Sequence, residues 1–252
     1  MDFLELPTGR ELPNVLNAVI EIPKGSSNKY EYDKELQVFR LDRTLYSPVH
    51  YPGAYGFLPR TLSEDGDPLD VVVIVEHDTF PGCLIEVRPL GVLVMADDAG
   101  LDHKILAVPV NDPRMRDVHG LQHLPRHYLA EVDYFFNIYK DLEGKKSDTY
   151  GWEDRLVAHQ VILECVERYK LLKAGLIDRW NNPTAKGKKA KVKIVRGTGA
   201  RQEGAAATTK SWKKADPPAT LALPALEVKK VVKNEVKKEA MLEDKRDGKS
   251  KI

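Results

Sequence analysis

The stretch Asp65-Gly66-Asp67-Pro68-Leu69-Asp70, running directly into the apolar residues 71–75, constrains the fold more than any other part of the chain. The β-branched run predicts a buried strand over residues 69–75. It carries three carboxylates within six residues to the mouth of that strand. Like charges so close repel one another, and withdrawing them from water is costly unless cations neutralise them. Taken alone, DGD is a common turn composition, and such a cluster is more often a solvated surface turn than a metal site. An EF-hand is excluded, although Glu76 stands twelfth from Asp65. Its sixth position is Asp70 where that loop needs Gly, and residues 71–75 form a strand where it needs a loop.

A second acidic group, Asp97-Asp98-Ala99-Gly100-Leu101-Asp102, lies in a predicted loop over residues 96–104. Gly100 permits a sharp reversal, so Asp97 and Asp102 can converge. A third group is looser, with Glu21 at the end of one strand and Glu31 on the next. Oxygen ligands without paired Cys or His favour a hard cation, Mg²⁺ or Mn²⁺, over zinc. Lys29, Arg43, Lys104, Lys140, Tyr51, Tyr55 and Tyr139 accompany these carboxylates. Lys29 is next but one to Glu31, and Lys104 next but one to Asp102, so on extended backbone each pair points the same way. One such pair is an ordinary surface ion pair worth little. Several in an acidic protein suit a polyanionic, metal-bound ligand, whose phosphate oxygens take Lys, Arg and Tyr donors on one side and the cation on the other. Tyr51-Pro52-Gly53-Ala54-Tyr55-Gly56 is either part of that donor set or a packed aromatic turn, and composition does not separate the two.

Around these groups the pattern predicts mostly strands. Residues 15–22 (VLNAVIEI) form one, stopped by Pro23, with a loop over 24–28. Residues 29–32 and 37–41 form two more, with Lys29, Glu31 and Asp33 on one face and Tyr30 and Tyr32 on the other. Further strands cover 85–95 and 105–110. After Pro125 the apolar spacing becomes helical, over 129–139 and 155–173. Many short strands followed by two helices make an α+β body with a small barrel or strongly curved sheet.

The charge is split along the chain. Residues 1–183 hold 20 basic and 30 acidic side chains, a net of −10, and residues 184–252 hold 19 and 8, a net of +11. The first part reads as an acidic globular body over 1–182. The second, 183–252, reads as a basic, largely disordered low-complexity tail; the valine stripe at 226–246 offers a short amphipathic helix, marginal on its own, as the less favoured alternative there. The longest purely aliphatic run is five residues, 71–75, against the roughly 20 that a membrane helix needs. The N-terminus has neither the basic start nor the apolar stretch of a secretory signal. Two cysteines, Cys83 and Cys165, build neither a disulfide framework nor a zinc site, and a cytoplasmic setting is expected.

DGDPLDV over residues 65–71 resembles the signature of the soluble, family I inorganic pyrophosphatases. VIEIPKGSSNKYEYD (19–33), LDR (41–43), HYPGAYGF (50–57), RPLGVLVMADDAGLDHKILAVP (88–109), FFNIYKDLE (135–143) and GWED (151–154) extend the resemblance, in order, to about residue 172. It implies an OB-like five-stranded β-barrel flanked by helices, and Mg²⁺-dependent hydrolysis of pyrophosphate to two orthophosphates. It implies that Asp65, Asp70 and Asp102 hold one metal ion, with Asp70 bridging to a second. Asp97 and Asp102 are implied for a third that arrives with substrate, and Glu31 for another through water. Asp67 is implied as the general base on a water shared by two ions. Lys29, Arg43, Tyr55, Lys104, Tyr139 and Lys140 are implied on phosphate oxygens, with Glu21 and Tyr51 supporting. The family often has Glu where this chain has Asp98, and Asn at Ala54. Members with a body this short imply a homo-oligomer, a homohexamer.

Other features have simpler readings. His119, His123 and His127 recur at helical spacing, but Pro125 interrupts them, so they read as dispersed loop histidines. His103 points away from its neighbours Asp102 and Lys104. Trp152 and the apolar stripe of 155–173 read as core. The alternative function is a non-catalytic OB-type module for single-stranded nucleic acid, which requires exposed aromatics in a basic groove. The acidic body disfavours nucleic acid there and leaves only weak binding through the tail.

Overall fold

The computed structural model describes residues 1–180 and Thr184, except Asp98 and Ala99. Apart from Thr184, the tail from residue 183 on, with its 226–246 segment, lies outside the described residues. The strands are β1 (Leu16–Ile22), β2 (Asn28–Asp33), β3 (Val38–Thr44), β4 (Ala54–Phe57), β5 (Asp70–Val73), β6 (Leu84–Asp97), β7 (Gly100–Leu101), β8 (Lys104–Pro109) and β9 (Ser147–Asp154). Helix α1 spans Arg126–Ile138 and α2 spans Arg155–Lys173.

Strand pairing closes a ring. β1 runs antiparallel to β4, β4 to β5, β8 to β6, and β6 back to β1. Among the described residues the one parallel pair is β5 with β8. The five-stranded, OB-like ring flanked by helices is therefore present, with additions: the long β6 also pairs β7 and β9, and β2 and β3 form a separate hairpin. Among the described residues no helix is long and apolar enough to cross a membrane.

Both faces of the central strands are covered. Val71 and Val73 of β5 and Ile105 and Ala107 of β8 pack with Ala158, Val161, Ile162 and Cys165 of α2. The intervening Val72 and Leu106 pack with Val132, Phe135 and Phe136 of α1. That double burial is why residues 71–75 read as a continuous apolar run instead of an alternating one. α2 begins where the Asp154 carboxylate accepts the N–H groups of Leu156 and Val157, a helix cap worth about 1 kcal/mol. Its last turn carries Lys170 and Lys173, which suit the negative end of the helix dipole.

Several elements differ from expectation. Residues 54–57 (AYGF) are a fully buried strand, β4, too short and too evenly buried to show an alternation. β9 is mostly polar and exists because β6 offers it an edge, from Gly91↔Asp154 to Asp97↔Ser147. The expected loop over 96–104 contains a tight hairpin, with Ala96 opposite Leu101 and Asp97 opposite Gly100. α1 starts at Arg126, directly after Pro125, whose fixed φ suits a helix entry. Of the three histidines expected to be dispersed, two meet: His123 ends a 3₁₀ turn and accepts the His119 N–H at 3.0 Å, with their rings 6.3 Å apart, while His127 faces Glu131 on α1.

β1 and β4 approach closely at Gly56, which stands opposite Ile20. A Cβ there would sit 1.9 Å from the Val19 carbonyl oxygen and 2.8 Å from Ile20 Cα, both backbone atoms. Gly56→Ala is expected to cost about 3 kcal/mol or more by forcing the strands apart, read as a lowered midpoint in urea unfolding.

Candidate active site

The parallel register of β5 and β8 puts Asp70 beside Lys104. Strand alternation turns both toward the α1 face, with Val72 and Leu106. Asp102 is anchored two residues earlier, its N–H donating to the Met95 carbonyl at 2.9 Å. The Lys104 ammonium donates to both Asp70 Oδ2 and Asp102 Oδ1 and is only 2 % exposed. The rings of Tyr55 and Phe136 lie 5.7 and 5.9 Å from it, within cation–π range. Burial opposes its charge, but Asp102 and Asp70 outweigh that and hold Lys104 well above its ordinary range. Burial pushes Asp70 upward, Lys104 pulls it down, and Asp102 raises it again. One ammonium between two carboxylates leaves a buried excess of negative charge.

The neighbouring carboxylates feel that excess. Asp65 accepts the Asp67 N–H at 3.0 Å. Burial, with the charges of Asp70, Asp102 and Asp67 against that bond, moves Asp65 up to about 7. Glu21 accepts the Tyr32 N–H at 2.8 Å. Burial and Asp70 drive Glu21 up to about 8, while the Tyr32 bond and Lys29 act in the opposite direction.

The remaining predicted residues ring this centre. Lys29 pairs with Glu31 and lies 3.8 Å from Asp42, on the face expected from their spacing. Arg43 stands opposite Lys29 across the hairpin, bonds Glu143 at 2.8 Å and pairs with Asp42. Lys140 Nζ bonds Asp97 Oδ2 at 2.8 Å and sits 5.2 Å from the Tyr139 ring. Tyr51, Tyr55 and Tyr139 are buried, with Tyr51 4.9 Å from Phe135 and 5.4 Å from Tyr55. Residues 51–56 pack as an aromatic turn, and within it the Tyr55 ring lies against the Lys104 ammonium. Asp67 lies at the open edge, its side chain 58 % exposed, and takes Lys34 at 2.8 Å and Arg179 at 3.4 Å on Oδ1.

The charged residues thus fall into groups of ion pairs: Lys104 with Asp70 and Asp102, Lys29 and Arg43 with Glu31, Asp42 and Glu143, Lys140 with Asp97, and Lys34 and Arg179 with Asp67. Among the described residues no three His, Cys, Asp or Glu side chains form a preassembled metal cluster. Lysines and arginines lie against the carboxylates instead. An all-oxygen donor set with surplus buried negative charge fits a hard divalent cation. Lys34, Asp42, Glu143 and Arg179 were not anticipated. Asp42 and Glu143 stand in the LDR and DLE strings already singled out, and nothing local marks Lys34 or Arg179.

Residues 18–170 match the family model described as inorganic pyrophosphatase. The chain belongs to the inorganic pyrophosphatase family. All fourteen anticipated residues, Glu21 to Lys140, fall inside the matched segment, and Arg179 falls outside it. An inorganic pyrophosphatase of Halalkalibacterium halodurans is 55% identical over 158 residues, covering 63% of this chain and 97% of that protein. One from Haloferax volcanii is 47% identical over 167 residues, covering 66% and 94%. The crystal structure of the Thermus thermophilus enzyme superposes with a TM-score of 0.66 at 42% identity, over 68% of this chain and 99% of that one. Pyrophosphatases of this family are metalloenzymes, in keeping with the donor set. The nucleic-acid module is set aside on family membership.

The raised carboxyls set a pH dependence. A buried acid with a raised folded-state pKa adds stability that is complete below the ordinary carboxylate range and lost as pH rises through the folded value. For Glu21 and Asp65 that loss falls between roughly pH 4 and 8. The metal-free protein is expected to unfold at lower urea as pH rises across that window, and Glu21→Gln to flatten the slope and raise the midpoint at pH 8. A level wild-type profile contradicts the burial of Glu21.

Proposed function

We propose that this pyrophosphatase hydrolyses inorganic pyrophosphate to two orthophosphates with Mg²⁺, through the residues assembled around Lys104. The observation that carries the reading is the buried Asp70–Lys104–Asp102 group beneath Tyr55, inside a segment matching the family from end to end. Asp65, Asp70 and Asp102 are the proposed ligands of the principal cation, with Asp97 and Glu31 serving further ions. A divalent ion bound there neutralises phosphate charge and makes water more acidic.

The chain's own groups do the rest. Lys29, Arg43 and Lys140 lie on half-buried positions around the rim, each against a carboxylate. Lys104, Tyr55 and Tyr139 lie deeper and offer donors to phosphate oxygens. Tyr51 and Glu21 pack beneath them and keep that set rigid. Asp67 sits where water reaches it and acts as general base. As water oxygen bonds to phosphorus, its proton passes to Asp67 and the bridging P–O bond breaks. The leaving phosphate takes the electron pair, and lysine and arginine stabilise its charge.

The chain is further proposed as a catalytic body over residues 1–182 bearing a basic tail, as a homohexamer, and as a cytoplasmic enzyme. Sedimentation of the purified chain is expected to give a particle of six copies.

Phosphate release from pyrophosphate, with and without Mg²⁺, is the direct test, and activity is expected only with the ion. Asp67→Asn is expected to lower turnover by about 10²–10⁴-fold, with Mg²⁺ binding by calorimetry retained. Near-normal turnover of that variant overturns the base assignment.

A further inference from the structure

Beyond the family match, the chain folds back onto the site. After α2 it turns at Gly175, where φ is +70°, and buries Ile177. Thr184 ties back to this turn, its N–H donating to the Leu176 carbonyl at 2.9 Å and its hydroxyl to the Gly175 carbonyl at 2.5 Å. Between these anchors the Arg179 guanidinium donates to the Gly66 carbonyl at 3.3 Å and to Asp67 Oδ1 at 3.4 Å. It stacks on Trp180 at 5.1 Å. The approach is close: a Cβ on Gly66 would lie 2.9 Å from the Arg179 carbonyl oxygen and 3.3 Å from a Trp180 ring carbon. The Gly66 φ of +89° already favours glycine, and the contact adds a second reason for it.

The turn fixes its own backbone without this segment. Asp65 accepts the Asp67 N–H, and the Asp67 carbonyl accepts the Ser63 N–H at 2.7 Å. Neither bond orients the Asp67 carboxylate. Lys34 and Arg179 do, and both hold the same oxygen, Oδ1, which determines where the other oxygen points. The ion pair is half-exposed on both sides, 51 % and 58 %, so its worth to global stability is small.

We infer that residues 177–180 form a clasp over the 65–67 turn, and that Arg179 is a positioning residue for Asp67 in this chain. The inference rests on the reading of Asp67 as general base. The experiment uses full-length protein carrying Arg179→Ala, Arg179→Lys or Asp67→Asn. Arg179→Ala is expected to lower kcat about two- to fivefold, the scale of one half-exposed ion pair, with KM for pyrophosphate unchanged. Arg179→Lys restores most of that loss. In metal-free protein, hydrogen exchange at the Gly66 and Asp67 amides speeds up in Arg179→Ala, and Trp180 emission moves to longer wavelength. Unchanged exchange and emission overturn the clasp. A loosened turn with unchanged kcat, or a kcat loss that Lys does not rescue, overturns the positioning role alone. Full activity of Asp67→Asn removes the base reading, while exchange and emission still decide whether the clasp exists.

Discussion

The buried ammonium of Lys104, held between Asp70 and Asp102, is the interaction on which the rest of the site depends. Its placement comes from the parallel pairing of β5 and β8. A one-residue slip of β5 would turn Asp70 into the α2 core and Val71 toward the site. Such a group is a poor stabiliser in itself, because desolvating three charges offsets most of their attraction. Its presence makes sense as a device that fixes one cation against two carboxylates at depth. The aromatic shell of Tyr55, Phe136 and Tyr51 excludes water around it, and that dryness in turn raises the neighbouring carboxyls.

Charge is arranged in two zones. Near Lys104 negative charge is in surplus, and Glu21 and Asp65 answer by holding protons more tightly. Around the rim, cations and carboxylates are matched: Lys29 with Glu31, Arg43 with Asp42 and Glu143, Lys140 with Asp97, Lys34 and Arg179 with Asp67. A diphosphate arriving with a divalent ion offers each partner of these pairs an alternative. Carboxylates can pass to the ion and ammonium groups to phosphate. Exchanges of that kind are cheap where the pairs are partly solvated, since each is worth about 1 kcal/mol or less. Asp70 and Asp102 each keep a second oxygen and the Lys104 ammonium a third N–H, so the centre can take up ion and phosphate without giving up its own pairs while the rim exchanges.

Much of this was legible in the sequence because its determinants are local. The β-branched run after Asp70, the i, i+2 pairs Lys29/Glu31 and Asp102/Lys104, and the helical stripe of α2 all express short-range periodicity. What was illegible depends on partners distant in the chain. β9 has little apolar pattern and borrows its edge from β6. β4 is four residues long, and its burial on all sides hides any alternation. Lys34 and Arg179 meet Asp67 from 33 and 112 residues away, and no spacing rule reaches that far. The resemblance supplied the fourteen candidate residues but neither Lys34 nor Arg179, the two cations that lie against Asp67.

The chain's overall charge bears on how substrate is selected. The ten surplus acidic side chains over 1–183 and the eleven surplus basic ones over 184–252 nearly cancel, so at long range the chain, at +1, exerts little pull on a multiply charged anion. Attraction prevails only close in, where Lys29, Arg43, Lys104 and Lys140 gather around one cluster. Salt at physiological strength screens the distant field beyond roughly 8 Å and leaves the contact distances almost untouched. The site thus gains little from long-range steering and must discriminate at contact. Contact discrimination demands fixed geometry, and the buried lysine, the aromatic shell and the bonded 65–67 turn supply it.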